Sequence, residues 1–427
     1  MLSRQVIRSA HSAAAHTAKA VKGEQVTKLA NGLTVASVDN FGPLSQLVLA
    51  FRAGSRYQSP NENGLVHHIR NSVGSDSEKY PGLSLVWSSA VAGGNLTSFA
   101  SRDLFGVSLT VPRDQTSVAL SILGHVAAQP AFKPWDVEEV LPSLNLDISY
   151  RQAYDIVLDG IHQAAYRNGN LANSPYAEAH QVGKVSFKTL QSFAEQRLVS
   201  GQAVLFGSNI EHDRLVSYGD NHAPIRAANG TGPESSPYKG GDFRKETGGK
   251  YAHVILAGAG AAGSDAKAVA VQSVLLNALG QGAAVQFSGS AGNGAVAKAV
   301  GQQGAATAFQ SVHQDAGLAG VYLVAEASKI AGVVSSAANA IKNFKASDIE
   351  SAKRQATNDA LRSSAHSQAH AVDRAGQLLS GVQDGSIVNA IQTVTASDVE
   401  AAAKKIASKF SVASTGNVHT VPYADSI

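Results

Sequence analysis

The sequence predicts an α+β protein built from two homologous halves, each a β-sheet with helices packed on one face. Three observations carry this. Short apolar runs of strand character alternate with long helical stretches throughout the 427 residues. Turn and breaker residues gather between Gly219 and Pro237, as Asn221-His-Ala-Pro224 and Asn229-Gly-Thr-Gly-Pro233, and read as a linker. The segments that close the two halves are alike: Val185 to Asn209 and Val394 to Asn417 each run from a polar capping residue through a helix to a short strand ending in Gly. The expected division is a leader over 1–22, an N-terminal domain over 23–219, a linker over 220–237 and a C-terminal domain over 238–427.

The first residues carry Arg4 and Arg8 on one helical face and Leu2, Val6 and Ala10 on another, with no acid before Glu24. An Arg-bearing, acid-free amphipathic start is the pattern of a mitochondrial transit peptide, whereas a secretory signal needs an uninterrupted apolar centre. The next two expected strands are Val26–Val35, bent at Asn31-Gly32, and Val48–Tyr57.

Gly64-Leu-Val-His67-His68-Ile-Arg70-Asn71 has the frame of a zinc-peptidase helix, H-x-x-E-H, without its chemistry. On a helix the positions i, i+3 and i+4 share a face, so the two imidazoles hold the metal and the Glu polarises water. Here the slots hold His67, Arg70 and Asn71. A guanidinium cannot act as a general base, and an amide is a poor zinc ligand.

Other motifs carry little. Gly258-Ala-Gly260-Ala-Ala-Gly263 after the strand Tyr251–Ala257 spells a dinucleotide fingerprint, but beyond Asp265 no acid follows until Asp315 to hold a ribose, so the glycines read as a strand-end loop. The glycine-rich stretch from Gly280 to Gly294 reads as a connector, and His366 with His370 as a solvated helical pair. The net charge of +3 is spread without a basic stripe, which excludes the footprint of a nucleic-acid binder. The absence of cysteine excludes disulfides, thiolate metal sites and cysteine nucleophiles. No apolar run is long enough to cross a bilayer.

Val26–Val35 with its Asn-Gly-Leu turn, Val48–Tyr57 with its Gly-Ser-Arg end, and the helix Asp155–Tyr166 resemble the mitochondrial processing peptidase family, pitrilysin-like zinc peptidases. Ala165–Tyr176 and Val412–His419 resemble its non-catalytic members in the respiratory ubiquinol–cytochrome c reductase complex (complex III). The resemblance implies a mostly antiparallel sheet in each half. It places the first His at His67, the catalytic Glu at Arg70, the second His at Asn71 and, counting back from Asp155–Tyr166, the third ligand at Asn145. One ligand of three would remain, so no catalytic residue, no metal and no cofactor is expected on this chain. The function implied is that of a non-catalytic structural and assembly subunit on the matrix side of the inner membrane. Its expected partners are a core protein 1 homologue and the cytochrome b, cytochrome c-type and iron–sulfur subunits, which would carry the haem and the iron–sulfur cluster. Membrane association would run through those partners. The alternative is the non-catalytic, presequence-binding subunit of a mitochondrial processing peptidase.

Overall fold

The turn at Asn31-Gly32 sets the register of the first strands. Gly32 takes a φ of +91°, open to glycine at no steric cost, and Asn31 Oδ1 accepts from the Leu33 amide at 3.0 Å. These residues belong to a computed structural model that describes residues 23–59, 62–280, 294–365, 367–383 and 385–427. The expected leader therefore lies outside the described residues.

The N-terminal half contains β1 (Gln25–Lys28), β2 (Thr34–Val38), β3 (Leu44–Phe51), α1 (Leu65–Asn71), α2 (Gly82–Val91), β4 (Asn95–Ala100) and β5 (Phe105–Pro112). It continues with α3 (Thr116–Ala128), α4 (Pro134–Glu139), α5 (Leu141–Ser149), α6 (Ala153–Tyr166), α7 (Phe187–Arg197), β6 (Ala203–Ser208) and α8 (His212–Asn221). The C-terminal half contains β7 (Asp242–Glu246), β8 (Tyr251–Ala259), α9 (Ala266–Leu279), α10 (Ala295–Val300), β9 (Gly304–Val312) and β10 (Gly317–Glu326). It ends with α11 (Ile330–Lys342), α12 (Ile349–Ala365), α13 (Ser367–Leu379), α14 (Ser386–Thr393), α15 (Ala396–Ala407) and β11 (Ser411–Gly416). The caps expected from sequence are present: Ser186 Oγ accepts from Thr189 N at the start of α7, and Thr395 forms a reciprocal capping box with Asp398 at the start of α15.

The sheets run in the orders β1-β2-β6-β3-β5-β4 and β7-β11-β8-β10-β9. Removing β1 leaves the same order in both. The strand senses also match, with β2 parallel to β6 as β7 is to β11, and every other pairing antiparallel. The chain is an internal duplication, and each sheet is mostly antiparallel.

Strand alternation sorts the core into layers. In β3, Leu47, Leu49 and Phe51 face the helices of their own half, while Val48 and Ala50 face the opposite side. In β8, Ala252, Val254 and Leu256 face their own helices, while Ile255 and Ala257 face away. The expectation of helices on one face of each sheet is met, but the second face is covered too. Each cover comes from the other half: α13 lays Ala371, Ala375 and Leu379 on the outer face of the N-terminal sheet, and α6 lays Val157, Ile161 and Ala165 on that of the C-terminal sheet. Small residues make this close approach feasible. At Gly160 of α6 an added Cβ would lie 2.2 Å from the Phe243 ring.

No helix or regular strand lies between Asn221 and Asp242. That segment is strapped down in spite of its turn-forming composition. Gly201 N donates to Ala228 O, Gln202 Nε2 to Asn229 O, Arg197 Nη1 to Thr231 O and Arg56 Nη2 to Glu234 O, and Ser236 is buried.

One buried ion pair pins an exchanged helix. Arg374 of α13, 1% exposed, donates from Nε and Nη2 to the two carboxylate oxygens of Glu24 at 2.6 and 2.7 Å, and from Nη1 to Val382 O. Removing one partner leaves a buried charge unpaired, which costs about 3–5 kcal/mol. Arg374→Met is therefore expected to lower the thermal midpoint sharply, with Glu24→Gln on the same chain recovering part of the loss. Equal midpoints for the single and double variants would show that the pair is uncoupled.

Candidate functional site

Helix α1 is positioned by a glycine and a buried amide. Gly64 has φ +94°, and a Cβ there would lie 2.6 Å from the Ala177 side chain. Gln58 Oε1 accepts from the amides of Gly64 and Leu65 at 3.0 and 3.2 Å, taking up donors that the helix start leaves free. The helix then presents His67, Arg70 and Asn71 on one face, as the i, i+3, i+4 spacing requires.

The residue opposite that face is Asp147 of α5. Its Oδ2 accepts from His67 Nε2 at 3.1 Å, from Asn71 Nδ2 at 3.1 Å and from Arg70 Nη2. This corrects the assignment of the third slot to Asn145. Asn145 is exposed on α5, two positions away, and two residues on a helix lie almost on opposite sides. Two ligand-type side chains therefore remain, His67 and Asp147.

Their surroundings decide what they can do. Ala177 N donates to His67 Nδ1 at 3.3 Å, so the ring proton sits on Nε2 and points at the carboxylate. Burial, joined by the Arg70 charge, holds the His67 imidazole below its ordinary range in spite of Asp147. Burial pushes the Asp147 carboxyl up, but the donors Asn71 and His67 and the Arg70 charge outweigh it and hold it low. Tyr176 completes the site, with its ring 5.2 Å from the Arg70 guanidinium and 4.6 Å from that of Arg151. Arg151 in turn pairs with Asp159 of α6.

This donor set does not fit a zinc ion. A catalytic site needs three ligands and an open position. Here the guanidinium of Arg70 already stands on the carboxylate, where a second cation would be repelled, and Asn71 donates its amide hydrogens inward. Neither a general base nor a water-polarising cation is provided.

The remaining motifs resolve structurally. A Cβ on Gly258 would lie 2.1 Å from Ile406 O, and one on Gly260 would lie 2.8 Å from Gln272 Oε1, so these glycines allow α15 and α9 to approach the sheet. Of the glycine-rich stretch, residues 281–293 lie outside the described residues, while its ends meet: a Cβ on Gly294 would lie 2.2 Å from the Gly280 backbone. His366 lies outside the described residues. Its expected companion His370 is half-buried, with its ring edge-on to Phe206 at 6.5 Å, and is not a solvated surface group.

Comparison with known proteins extends the resemblance. Residues 34–178 match the family described as Insulinase (Peptidase family M16). The chain is 28% identical over 421 residues to the cytochrome b-c1 complex subunit 2, mitochondrial, of Homo sapiens, covering 94% of this chain and 92% of that protein. It is 25% identical to a probable mitochondrial-processing peptidase subunit alpha-1 of Arabidopsis thaliana, covering 94% of this chain and 84% of that protein. The crystal structure of a peptidase M16 inactive domain from Pseudomonas fluorescens superposes with a TM-score of 0.79 at 17% identity, covering 92% of this chain and 98% of that one. The resemblance read from the two opening strands and the α6 helix thus extends over nearly the whole chain.

Two predictions follow from the geometry. Arg70→Glu with Asn71→His should create a three-ligand site with His67 and Asp147 and bind about one equivalent of zinc after dialysis, where the unaltered chain binds far less. Adding Asp147→Asn should abolish that binding and adding Asn145→Glu should not change it; the reverse outcome would return the third slot to Asn145. The second prediction concerns His68, fully buried, with neither ring nitrogen hydrogen-bonded. Burial, and secondarily the neighbouring His67, push it down to about 4. Because the folded protein refuses a proton that the unfolded chain accepts, stability falls as pH drops from about 6.5 towards 4. His68→Leu should remove up to about 3 kcal/mol of that acid loss in denaturant titrations.

Proposed function

We propose that this chain is core protein 2 of the mitochondrial ubiquinol–cytochrome c reductase complex, a non-catalytic scaffold subunit on a peptidase frame. The observation that carries the reading is the guanidinium of Arg70 seated on Asp147, in a fold whose similarity to subunit 2 of the cytochrome b-c1 complex spans 94% of the chain. Arg70 supplies a fixed positive charge to the site, so α1 and α5 stay joined there without an exchangeable ion.

A scaffold acts through surfaces, and the exposed apolar side chains fit that work. Leu83, Trp87 and Val91 of α2 are 79%, 67% and 75% exposed, and with Val118 of α3 they line a groove that holds no charged side chain. Trp135 of α4, Leu146 of α5 and Tyr150 just past α5 are also exposed. Among the described residues no helix is long and apolar enough to cross a membrane. In this reading the protein is held at the matrix face of the inner membrane by its neighbours: a core protein 1 homologue and the cytochrome b, cytochrome c-type and iron–sulfur subunits. Haem and the iron–sulfur cluster reside in those partners.

Full-length protein released from mitochondria in mild detergent is expected in one large particle with b-type and c-type haem and a second core subunit. Contacts this apolar should survive moderate salt. Leu83→Asp with Trp87→Asp should reduce recovery in the particle while leaving the thermal midpoint of the isolated chain unchanged. Recovery as a soluble dimer with a zinc-bearing partner and no haem would support a presequence-binding processing-peptidase subunit instead, the reading that the relative from Arabidopsis thaliana favours.

A further inference from the structure

The polar joint between the halves holds a proton that the hydrogen-bond pattern locates. His162 of α6 and His313, one residue past β9, face each other with their Nε2 atoms 3.0 Å apart. His162 Nδ1 lies 2.7 Å from Leu158 O, and a carbonyl can only accept, so that nitrogen carries the hydrogen. His162 is fully buried, and burial, reinforced by the Arg102 and His313 charges, drives its ring far below the ordinary imidazole range. It is neutral, and its Nε2 is a bare acceptor.

His313 must therefore donate from Nε2. Its Nδ1 lies 2.9 Å from Asp103 Oδ2, an oxygen that also accepts. Burial pushes the Asp103 carboxyl up, but His313 and Arg56 both donate to it and hold it ionised. Ser311 Oγ, 3.0 Å from His162 Nε2 and 3.1 Å from His313 Nε2, has one hydrogen to give. If both Nε2 atoms were bare, that hydroxyl could satisfy one of them and the other lone pair would face its neighbour unscreened. The Asp103–His313–Ser311 spacing is that of a nucleophile triad, but the serine is tied between two rings, not free to attack.

We propose that His313 is an imidazolium with both ring nitrogens protonated, and that this one proton tightens the polar joint between the two halves, which opens locally more often when it is lost. The groups facing it are Asp103 from the β4–β5 turn, His162 and, behind it, Tyr166 from α6, and Ser311 from its own strand. Arg56, bonded to Asp103 and Asp315, and Arg102, bonded to Asp159, set the surrounding charge. On deprotonation the Nε2 hydrogen leaves to solvent, the imidazole–imidazole bond disappears, and two lone pairs oppose each other across the joint. The joint is therefore tight at low pH and loosens as pH rises.

Amide hydrogen exchange of the full chain, corrected for intrinsic rates, tests this in peptides from β9 and α6. Opening at the joint should increase about tenfold or more between about pH 6 and pH 9 in the unaltered protein. It should be nearly flat in His313→Gln and unchanged in slope in Ser311→Ala. Should His313→Gln fail to fold, Asp103→Asn does the same work, because it removes the anion that holds the imidazolium. Nitrogen-15 spectra of ring-labelled histidines near neutral pH should show both nitrogens of His313 protonated, identified by the signals lost in His313→Gln or shifted in Asp103→Asn. Equal pH slopes in the variant and the parent, or a bare Nε2 signal from His313 near neutral pH, would overturn the proposal.

Discussion

Each sheet has two apolar faces and enough helices in its own half to cover one. The rest of the structure depends on how the second face is closed. Because α6 and α13 cross over to cover the partner sheet, neither half can complete its core alone. Losing α13 would bare Val48, Val204 and Phe206, each worth about 1.5–3 kcal/mol of burial, a sum comparable with the stability of an ordinary domain. The halves are therefore one cooperative unit joined by exchanged helices, and the strapped linker is a consequence of that union more than its cause.

Exchange also dictates where charge must be buried. The joint that the crossing helices create holds charged and polar residues that find partners across it: Arg374 of α13 with Glu24, His313 with Asp103, and Arg56 with Asp315. Burial alone would depress the Arg56 guanidinium, but hydrogen bonds and charge from Asp315 and Asp103 more than compensate and raise it. Helix α6 links this joint to the degenerate site. Its Asp159 takes Arg102 near the joint and Arg151 near the site, and Arg151 lies over the Tyr176 ring that Arg70 also faces. The frame that could present a metal in a peptidase is here neutralised from within by guanidinium groups.

Much of this was legible beforehand, for identifiable reasons. Capping residues and turn glycines act over a few positions, so Ser186, Thr395 and the Asn31-Gly32 turn were readable without knowing the fold. The duplication showed itself because its most alike segments, α7–β6 and α15–β11, are contiguous in sequence. The loss of catalysis at Arg70 and Asn71 rested on side-chain chemistry alone, which needs no coordinates. The third slot was misread because placing Asp147 required the register of α5, and a two-residue slip on a helix moves a side chain to the far face.

What the sequence by itself determined is therefore local or periodic: the strands and helices, their caps, the two-fold repeat, and the chemistry missing at Arg70 and Asn71 beside His67. What only the tertiary structure decided is which surfaces meet. The alternation of β3 shows that both of its faces are apolar, but not that the second cover is α13 from more than 300 residues away. His370 looked solvent-exposed because its own helix is polar around it, and it is half-buried because that helix crosses to Phe206. His162 and His313 are ordinary histidines in their own segments and become a proton-sharing pair only where α6 meets the end of β9. Long-range contacts depend on the closing of sheet faces, a global balance of burial that no short window of residues records.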